Sequence, residues 1–223
     1  MLRCSLTTGS SLFYFVYVEF LGAFKDAKLG PILVMEKMKE NLRQFLEGHG
    51  DKDTLTVPEQ LRISLEITEG VAFLHQLNPP MVHRDLNDKN VMFTFDGVAK
   101  IGDFGQSKLK QQLYLTTTQP GMVAFMPPEA LRTGNCKYDE SLDMFSLGVL
   151  MLEIGTQHHP NKGLEGIGTT PEVKRREADL GRMSHLHPLK PSILCCLRDD
   201  PKLRLKASEL LVVLPVLFVV SLG

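Results

Sequence analysis

His83-Arg84-Asp85-Leu86-Asn87-Asp88-Lys89-Asn90 sets one histidine, two basic side chains, two carboxylates and two carboxamides around a single leucine. Taken singly, Asp85 reads as a turn or cap carboxylate and Asn90 as a turn residue. The surroundings give the octet its meaning. Directly downstream, two apolar runs, Val91 to Phe95 and Val98 to Ile101, flank Asp96-Gly97, a strong hairpin-turn signal. Asp103-Phe104-Gly105 follows at once. Gln106 to Pro128 is rich in Thr, Gln and Gly and weakly periodic; a structureless stretch of that length suggests a functional loop. It ends on Pro127-Pro128-Glu129. Asp143 to Ile154 then reads as a helix, polar at its start and apolar all round, which belongs in the middle of a domain. Gly155 to Pro171 is Gly-rich and irregular, and further helices are expected about Pro191 to Arg198 and Lys206 to Leu214.

Upstream of the octet lies the clearest helical pattern. Thr56 suits a cap, Pro58 a first-turn position, and Glu59 supplies first-turn negative charge. Leu61, Leu65, Thr68, Ala72 and His75 recur at near-helical spacing, with Leu74 beside them, until Asn78-Pro79-Pro80 stops the helix. Before it, Leu42, Phe45 and Leu46 are spaced as on a short helix. Val16 to Phe24 reads as a strand, Lys25 to Gly30 as a charged turn, and Pro31 to Met38 as a second strand closing a hairpin. A little strand followed by mostly helix predicts an α+β layout with segregated helices.

The chain's 223 residues, 43% of them hydrophobic, suffice for one sizeable core. Lys and Arg total 25 against 26 Asp and Glu. No global field therefore points to nucleic acid, although a nucleotide needs only a local basic site. Cys4, Cys136, Cys195 and Cys196 show no zinc spacing. The adjacent pair lies in an apolar run and reads as reduced core thiols, which fits a cytoplasmic setting. His158-His159 and His185-x-His187 lack a third placed ligand, so no metal site is expected there. Leu12 to Phe24 reads as a buried strand rather than a signal peptide, since Glu19 interrupts it and only Arg3 is basic before it. The tail from Leu210 to Leu222 falls short of the ~20 residues of a membrane span. It reads either as a packing segment or as foreign sequence.

His83 to Asn90 matches every fixed position of the pattern H-R-D-L-x-x-x-N; with Asp103-Phe104-Gly105 and Pro127-Pro128-Glu129 in order behind it, the chain resembles the eukaryotic protein kinases. The resemblance covers about Val16 to Leu211 and implies a kinase-like fold with a mostly helical large lobe. It divides the chain into a remnant of the small lobe and the hinge over 1–38, the large lobe over 39–211, and an apolar tail over 212–223. It implies an enzyme that moves the γ-phosphoryl group of ATP, with Mg²⁺, to hydroxyls of protein substrates. Asp85 would accept the hydroxyl proton. Asn90 and Asp103 would hold Mg²⁺ through oxygen. Lys89 would neutralise γ-phosphate charge. Its place four residues after Asp85 resembles the tyrosine-kinase and tyrosine-kinase-like groups, where the common serine/threonine pattern would put lysine at the position of Asn87.

Further roles follow from the same resemblance. Met35 would be the gatekeeper, the backbones of Glu36 and Met38 would bond adenine, and Met92 would lie beneath it. His83 and Phe104 would stack in a spine between lobes, with Phe20 above them. Asp143 would anchor the catalytic loop, and Arg204 would pair with Glu129. Arg84 would receive a phosphate on Tyr114, Thr116, Thr117 or Thr118.

Two departures qualify the resemblance. The sequence contains no G-x-G-x-x-G and no V-A-I-K-like run, so the small lobe reads as N-terminally truncated and transfer as impaired. Met122 follows Gly121 where serine/threonine members have Thr, which leaves Ser/Thr against Tyr open, with a lean to Ser/Thr. The competing reading is an inactive docking module; the retention of Asp85, Asn90 and Asp103 speaks against it. Nothing in the sequence indicates an oligomeric state.

Overall fold

The computed structural model describes residues 16–49, 54–109, 123–131, 139–158 and 179–222. Its centre is the helix α4 (Ser141–Thr156), in which every residue from Leu142 to Ile154 is buried. A helix apolar on all sides can be stable in water only when covered on all sides. The other helices are α1 (Leu42–His49), α2 (Val57–Gln76), α3 (Pro128–Leu131), α5 (Lys190–Cys196) and α6 (Ala207–Ser221), of which α2 and α5 pack on α4 most extensively and α6 lies on α2. Gly148 lets α5 approach, since a methyl group there would sit 2.7 Å from Cβ of Cys196.

The helix α2 starts where the capping residues require. Thr56 Oγ1 accepts the Glu59 N–H while Glu59 Oε2 accepts the Thr56 N–H at 2.8 Å, a reciprocal capping box. It ends at Gln76, before Asn78-Pro79-Pro80. Its buried side, including Leu61, Ile67, Val71 and Leu74, faces α4 and α6.

The strands are short and antiparallel. β1 (Phe20–Asp26) pairs with β2 (Gly30–Met35); β3 (Glu40–Asn41), β5 (Val91–Phe93) and β6 (Ala99–Ile101) form a sheet in the order β3-β5-β6; β4 (Met81–Val82) pairs with β7 (Lys108–Leu109). The β5–β6 turn is the expected one, with Gly97 at φ 79°, where a side chain would be strained. Phe45 of α1 stacks on Phe93 of β5 with ring centroids 4.3 Å apart, which holds α1 on this sheet.

The structure corrects three boundaries. The first strand begins at Phe20, not Val16. Val16 and Tyr17 are buried, and Tyr17 bridges Ile101 while Val18 N–H bonds the Ile101 carbonyl at 3.0 Å, so this segment belongs to the sheet beside α2. The second strand stops at Met35, because Glu36 to Met38 form the link to β3. The last helix does not stop at Leu214; it continues through Pro215 to Ser221. A proline inside a helix costs about 3 kcal/mol. Beyond it, Leu217 and Phe218 are half-buried and pack against the core, which offsets part of that cost.

Gly155 and Thr156 still belong to α4. The irregular stretch from 159 onward and the greater part of the Gln106 to Pro128 loop lie outside the described residues. Among those described, no helix is long and apolar enough to cross a membrane. The result is a mixed fold, helical in the main, with its short strands in three small sheets.

Candidate active site

Asp143, in the first turn of α4, organises the site. Its carboxylate accepts three donors: His83 N–H at 2.8 Å, Arg84 N–H at 2.9 Å and His75 Nε2 at 2.9 Å. Burial pushes the Asp143 carboxyl up; the His75 hydrogen bond and the Arg84 N–H outweigh it and hold the group below the usual carboxylate range. The chain turns sharply here, and Arg84 takes φ 71°, unfavourable for a side-chain-bearing residue. The two backbone bonds to Asp143 hold that conformation.

His83 ties this loop to the Asp103 segment. Its Nε2 faces the Gly102 carbonyl at 3.0 Å and must donate, which leaves Nδ1 to accept the Asp85 N–H at 3.4 Å. Gly102 N–H bonds the Asn90 carbonyl at 2.8 Å. Val91 pairs with Ile101, so Asn90 and Asp103 leave the same end of the β5–β6 ribbon. Asp85 joins them there, for Asn90 Nδ2 donates to its carbonyl at 2.7 Å and its Oδ2 at 3.1 Å. Asp103 sits at φ 56°, exposed, with its carboxylate accepting the Gly105 N–H at 3.1 Å.

These donors suit a hard cation. With the Asn90 nitrogen turned to Asp85, its Oδ1 faces away, and the Asp103 carboxylate is accessible; oxygen donors of this kind fit Mg²⁺. Among the described residues, no group of three or more His, Cys, Asp or Glu forms another metal site.

The other expected residues fall as follows. Lys89 is exposed beside Asp85, while Asp88 is turned inward. Arg84 is buried, and its Nη1 donates to the Gln106 carbonyl at 3.2 Å. β4 pairs with β7, Val82 opposite Lys108, so the strand before the octet is zipped to the start of the long loop. Tyr114, Thr116, Thr117 and Thr118 lie outside the described residues. Arg204 meets Glu129 through two parallel bonds of 2.6 and 2.8 Å and also lies over the Phe145 ring.

At the expected adenine end, Met92 is half-buried on β5 and Met38 half-buried in the link. Met35 ends β2 and is 51% exposed. Glu36 is tied down. Its N–H bonds the Glu19 carbonyl at 2.8 Å, and its carboxylate takes Lys100 Nζ at 2.8 and 2.9 Å and the Glu19 N–H at 3.1 Å. Burial raises the Glu36 carboxyl, and the Lys100 hydrogen bond with the Glu19 N–H brings it below its ordinary value.

The stack on His83 and Phe104 differs from expectation in one member. His83 and Phe104 meet edge to face at 5.2 Å, and the ring on the far side of Phe104 is Tyr17 at 5.3 Å. Phe20 is 54% exposed, because its strand pairs with β2 instead of turning inward. Tyr17 is further held by its hydroxyl on the Gly70 carbonyl, and burial pushes that phenol far up.

A second group escaped the sequence reading. Arg43 of α1 grips Asp88 through Nε at 2.7 Å and Nη2 at 3.2 Å. Glu153 of α4 is buried beside Asp88. Burial, then the Asp88 carboxylate, pushes the Glu153 carboxyl well above its ordinary value. An acidic residue inside an apolar helix was the available signal, but its partner lies far away in sequence.

The family model described as "Protein kinase domain" matches residues 16–213. A probable LRR receptor-like serine/threonine-protein kinase of Arabidopsis thaliana is 35% identical over 130 residues, 56% of this chain and 14% of that protein. The probable serine/threonine-protein kinase SIS8 of the same plant is 30% identical over 165 residues, 73% of this chain and 16% of that protein. The serine/threonine-protein kinase TNNI3K of Mus musculus is 35% identical over 145 residues, 64% of this chain and 17% of that protein. The chain thus spans well under a fifth of the length of each of these three relatives.

Proposed function

We propose, for a chain that belongs to the protein kinase domain family, that it transfers the ATP γ-phosphoryl group to serine or threonine hydroxyls of proteins at low turnover. Membership places it among phosphotransferases, a family that works with ATP and Mg²⁺ on protein substrates. The observation that carries the proposal is the convergence of Asp85, Asn90 and Asp103 at one end of the β5–β6 ribbon. Asp85 orients the attacking hydroxyl and takes its proton. Asn90 and Asp103 hold Mg²⁺, which neutralises phosphate charge when bound. Lys89 supplies a further positive charge. The backbones of Glu36 and Met38 receive adenine, with Met35 and Met92 beside it.

The serine/threonine preference rests on what the relatives are named. Assignment to the tyrosine-kinase-like group rests on Lys89, Pro120-Gly121 and Phe125-Met126-Pro127-Pro128-Glu129. A phosphate on Tyr114, Thr116, Thr117 or Thr118 would pair with Arg84 and order the loop. The free thiols Cys195 and Cys196 suit a reducing, cytoplasmic setting.

Low turnover follows from the residues this chain carries. With no G-x-G-x-x-G and no V-A-I-K-like lysine in it, positioning of the phosphates falls to Asp103, Asn90, Lys89 and Mg²⁺, and positioning is most of this catalysis. A second reading, a nucleotide-free docking module, is favoured by the β1–β2 hairpin, where none of the residues from Phe20 to Met35 is fully buried.

Two measurements on the purified chain decide. Radiometric transfer from γ-labelled ATP to a protein substrate should be slow and lost in Asp85→Asn. ATP with Mg²⁺ should raise Tm, and EDTA should remove the rise. Ordinary kinase turnover would refute the impairment; no Tm shift and no Asp85-dependent transfer would leave the docking reading standing.

A further inference from the structure

Asn87 occupies the catalytic loop without a role assigned so far, although it is 2% exposed. A buried carboxamide must satisfy both ends, and this one does so entirely within the loop. Its Nδ2 donates to the Asp85 carbonyl at 2.9 Å and to Asp85 Oδ1 at 2.8 Å. Its Oδ1 accepts the Lys89 N–H at 2.9 Å. The orientation is not interchangeable, because a flipped amide would set oxygen against two oxygens and nitrogen against a donor. Asn90 grips the other carboxylate oxygen of Asp85, and its carbonyl too. One amide N–H therefore lies on each oxygen of the same carboxylate.

We infer that Asn87 is a positioning residue for phosphotransfer, fixing the Asp85 carboxylate as one jaw of a two-amide clamp and setting the backbone of Lys89; this rests on the phosphotransferase reading above. In that step the hydroxyl proton passes to Asp85, the hydroxyl oxygen bonds the γ-phosphorus, and the bond from phosphorus to the bridging oxygen breaks as ADP leaves. Asp85 acts only if its oxygen points at the hydroxyl. Without the clamp the carboxylate rotates about its side-chain bonds, and misplacement of about 1 Å costs on the order of 10²-fold in rate. Asn87 is a neutral donor, so the positive charge meeting the phosphate falls to Lys89, whose N–H Asn87 holds while its side chain stays exposed.

The test combines kinetics with an activity-free readout, all on the full chain. Asn87→Asp keeps the acceptor for Lys89 N–H and replaces the donor to Asp85 by a repelling oxygen. Its kcat should fall by about 10–100-fold at a KM for ATP within about twofold of wild type. Asn87→Lys restores the donor to Asp85 but not the acceptor for the Lys89 N–H; because the clamp on Asp85 carries the rate, it should stay within about threefold of wild type. Folded fraction, measured on the same samples, should not account for the difference. In ¹H–¹⁵N spectra the Asn87 side-chain amide should resist solvent exchange in wild type and in Lys89→Ala, and lose at least about tenfold of that protection in Asp85→Ala. Wild-type turnover in Asn87→Asp, a kcat loss that merely follows folded fraction, or protection unchanged in Asp85→Ala would each overturn the assignment. If Asp85→Asn leaves the wild-type signal intact, the phosphotransferase reading fails and the positioning role with it, while the exchange data still report whether Asn87 holds Asp85.

Discussion

Replacing Asp143 by asparagine removes one charge and keeps the shape, so its cost can be worked from three bonds. Oδ2 serves His83 N–H and His75 Nε2, and Oδ1 serves Arg84 N–H. The introduced carboxamide does best with its oxygen on the first two donors. Its nitrogen then faces Arg84 N–H, leaving a buried donor without an acceptor, at about 1–3 kcal/mol. The two remaining bonds lose their charge assistance, for roughly a further 1–2 kcal/mol. Asp143→Asn should therefore destabilise the chain by about 2–5 kcal/mol in urea titration, a large part of an ordinary domain's stability. The damage should be local first: without its bond, Arg84 has little reason to remain at φ 71°, and exchange protection at the His83 and Arg84 amides should fall before that of α2. Linkage gives a second signature. The folded carboxyl lies below its ordinary value, so the stability it adds is present above about pH 4 and is lost as pH falls through the folded value. Asp143→Asn should flatten that acid limb. A loss under about 0.5 kcal/mol, with protection at His83 and Arg84 unchanged, would refute Asp143 as the anchor of the loop.

Arg204→Ala strips five bonds from Glu129, Arg198, Ser141 and Asp199, and should cost about 3–5 kcal/mol by urea titration; Arg204→Lys keeps the charge, loses the fork and should fall between. Glu153→Gln should stabilise the chain at neutral pH by about 1 kcal/mol or more, because a folded carboxyl raised above its ordinary value stabilises fully only below about pH 4.3 and loses that contribution as pH rises toward the folded value. Stability measured from pH 4 to 8 should be flatter in Glu153→Gln than in wild type, and an equal slope would sink that reasoning.

Much of the site was legible because its chemistry is local. Asp85 and Asn90 sit five residues apart in one loop and bond each other directly. The Asp96-Gly97 turn brings Asp103 back to Asn90 within the same ribbon. Capping of α2 was equally readable, since Thr56 and Glu59 complete it between themselves. Errors gather where the partner is distant. Resemblance puts Phe20 on the His83 and Phe104 stack, yet strand pairing with Met35 draws it away and Tyr17 takes the place. Pro215 signals the end of a helix that runs on past it, with Leu217 and Phe218 packed against the core.

By itself the sequence determined the family, the order of the elements and the identity of the groups that meet at Asp85, because residue type at short spacing suffices for motifs, turns and caps. Tertiary structure decided which side chains those groups lean on. Asp143 reaching back to His83 and Arg84, Arg204 closing on Glu129 and Lys100 on Glu36 join residues some 60–75 positions apart. Family resemblance anticipates two of these pairs but not their bond geometry. The raised Glu153 carboxyl beside Asp88 and the amide clamp on Asp85 were visible in neither composition nor periodicity. Burial and rotamer make those features, and both are set only when the whole chain packs.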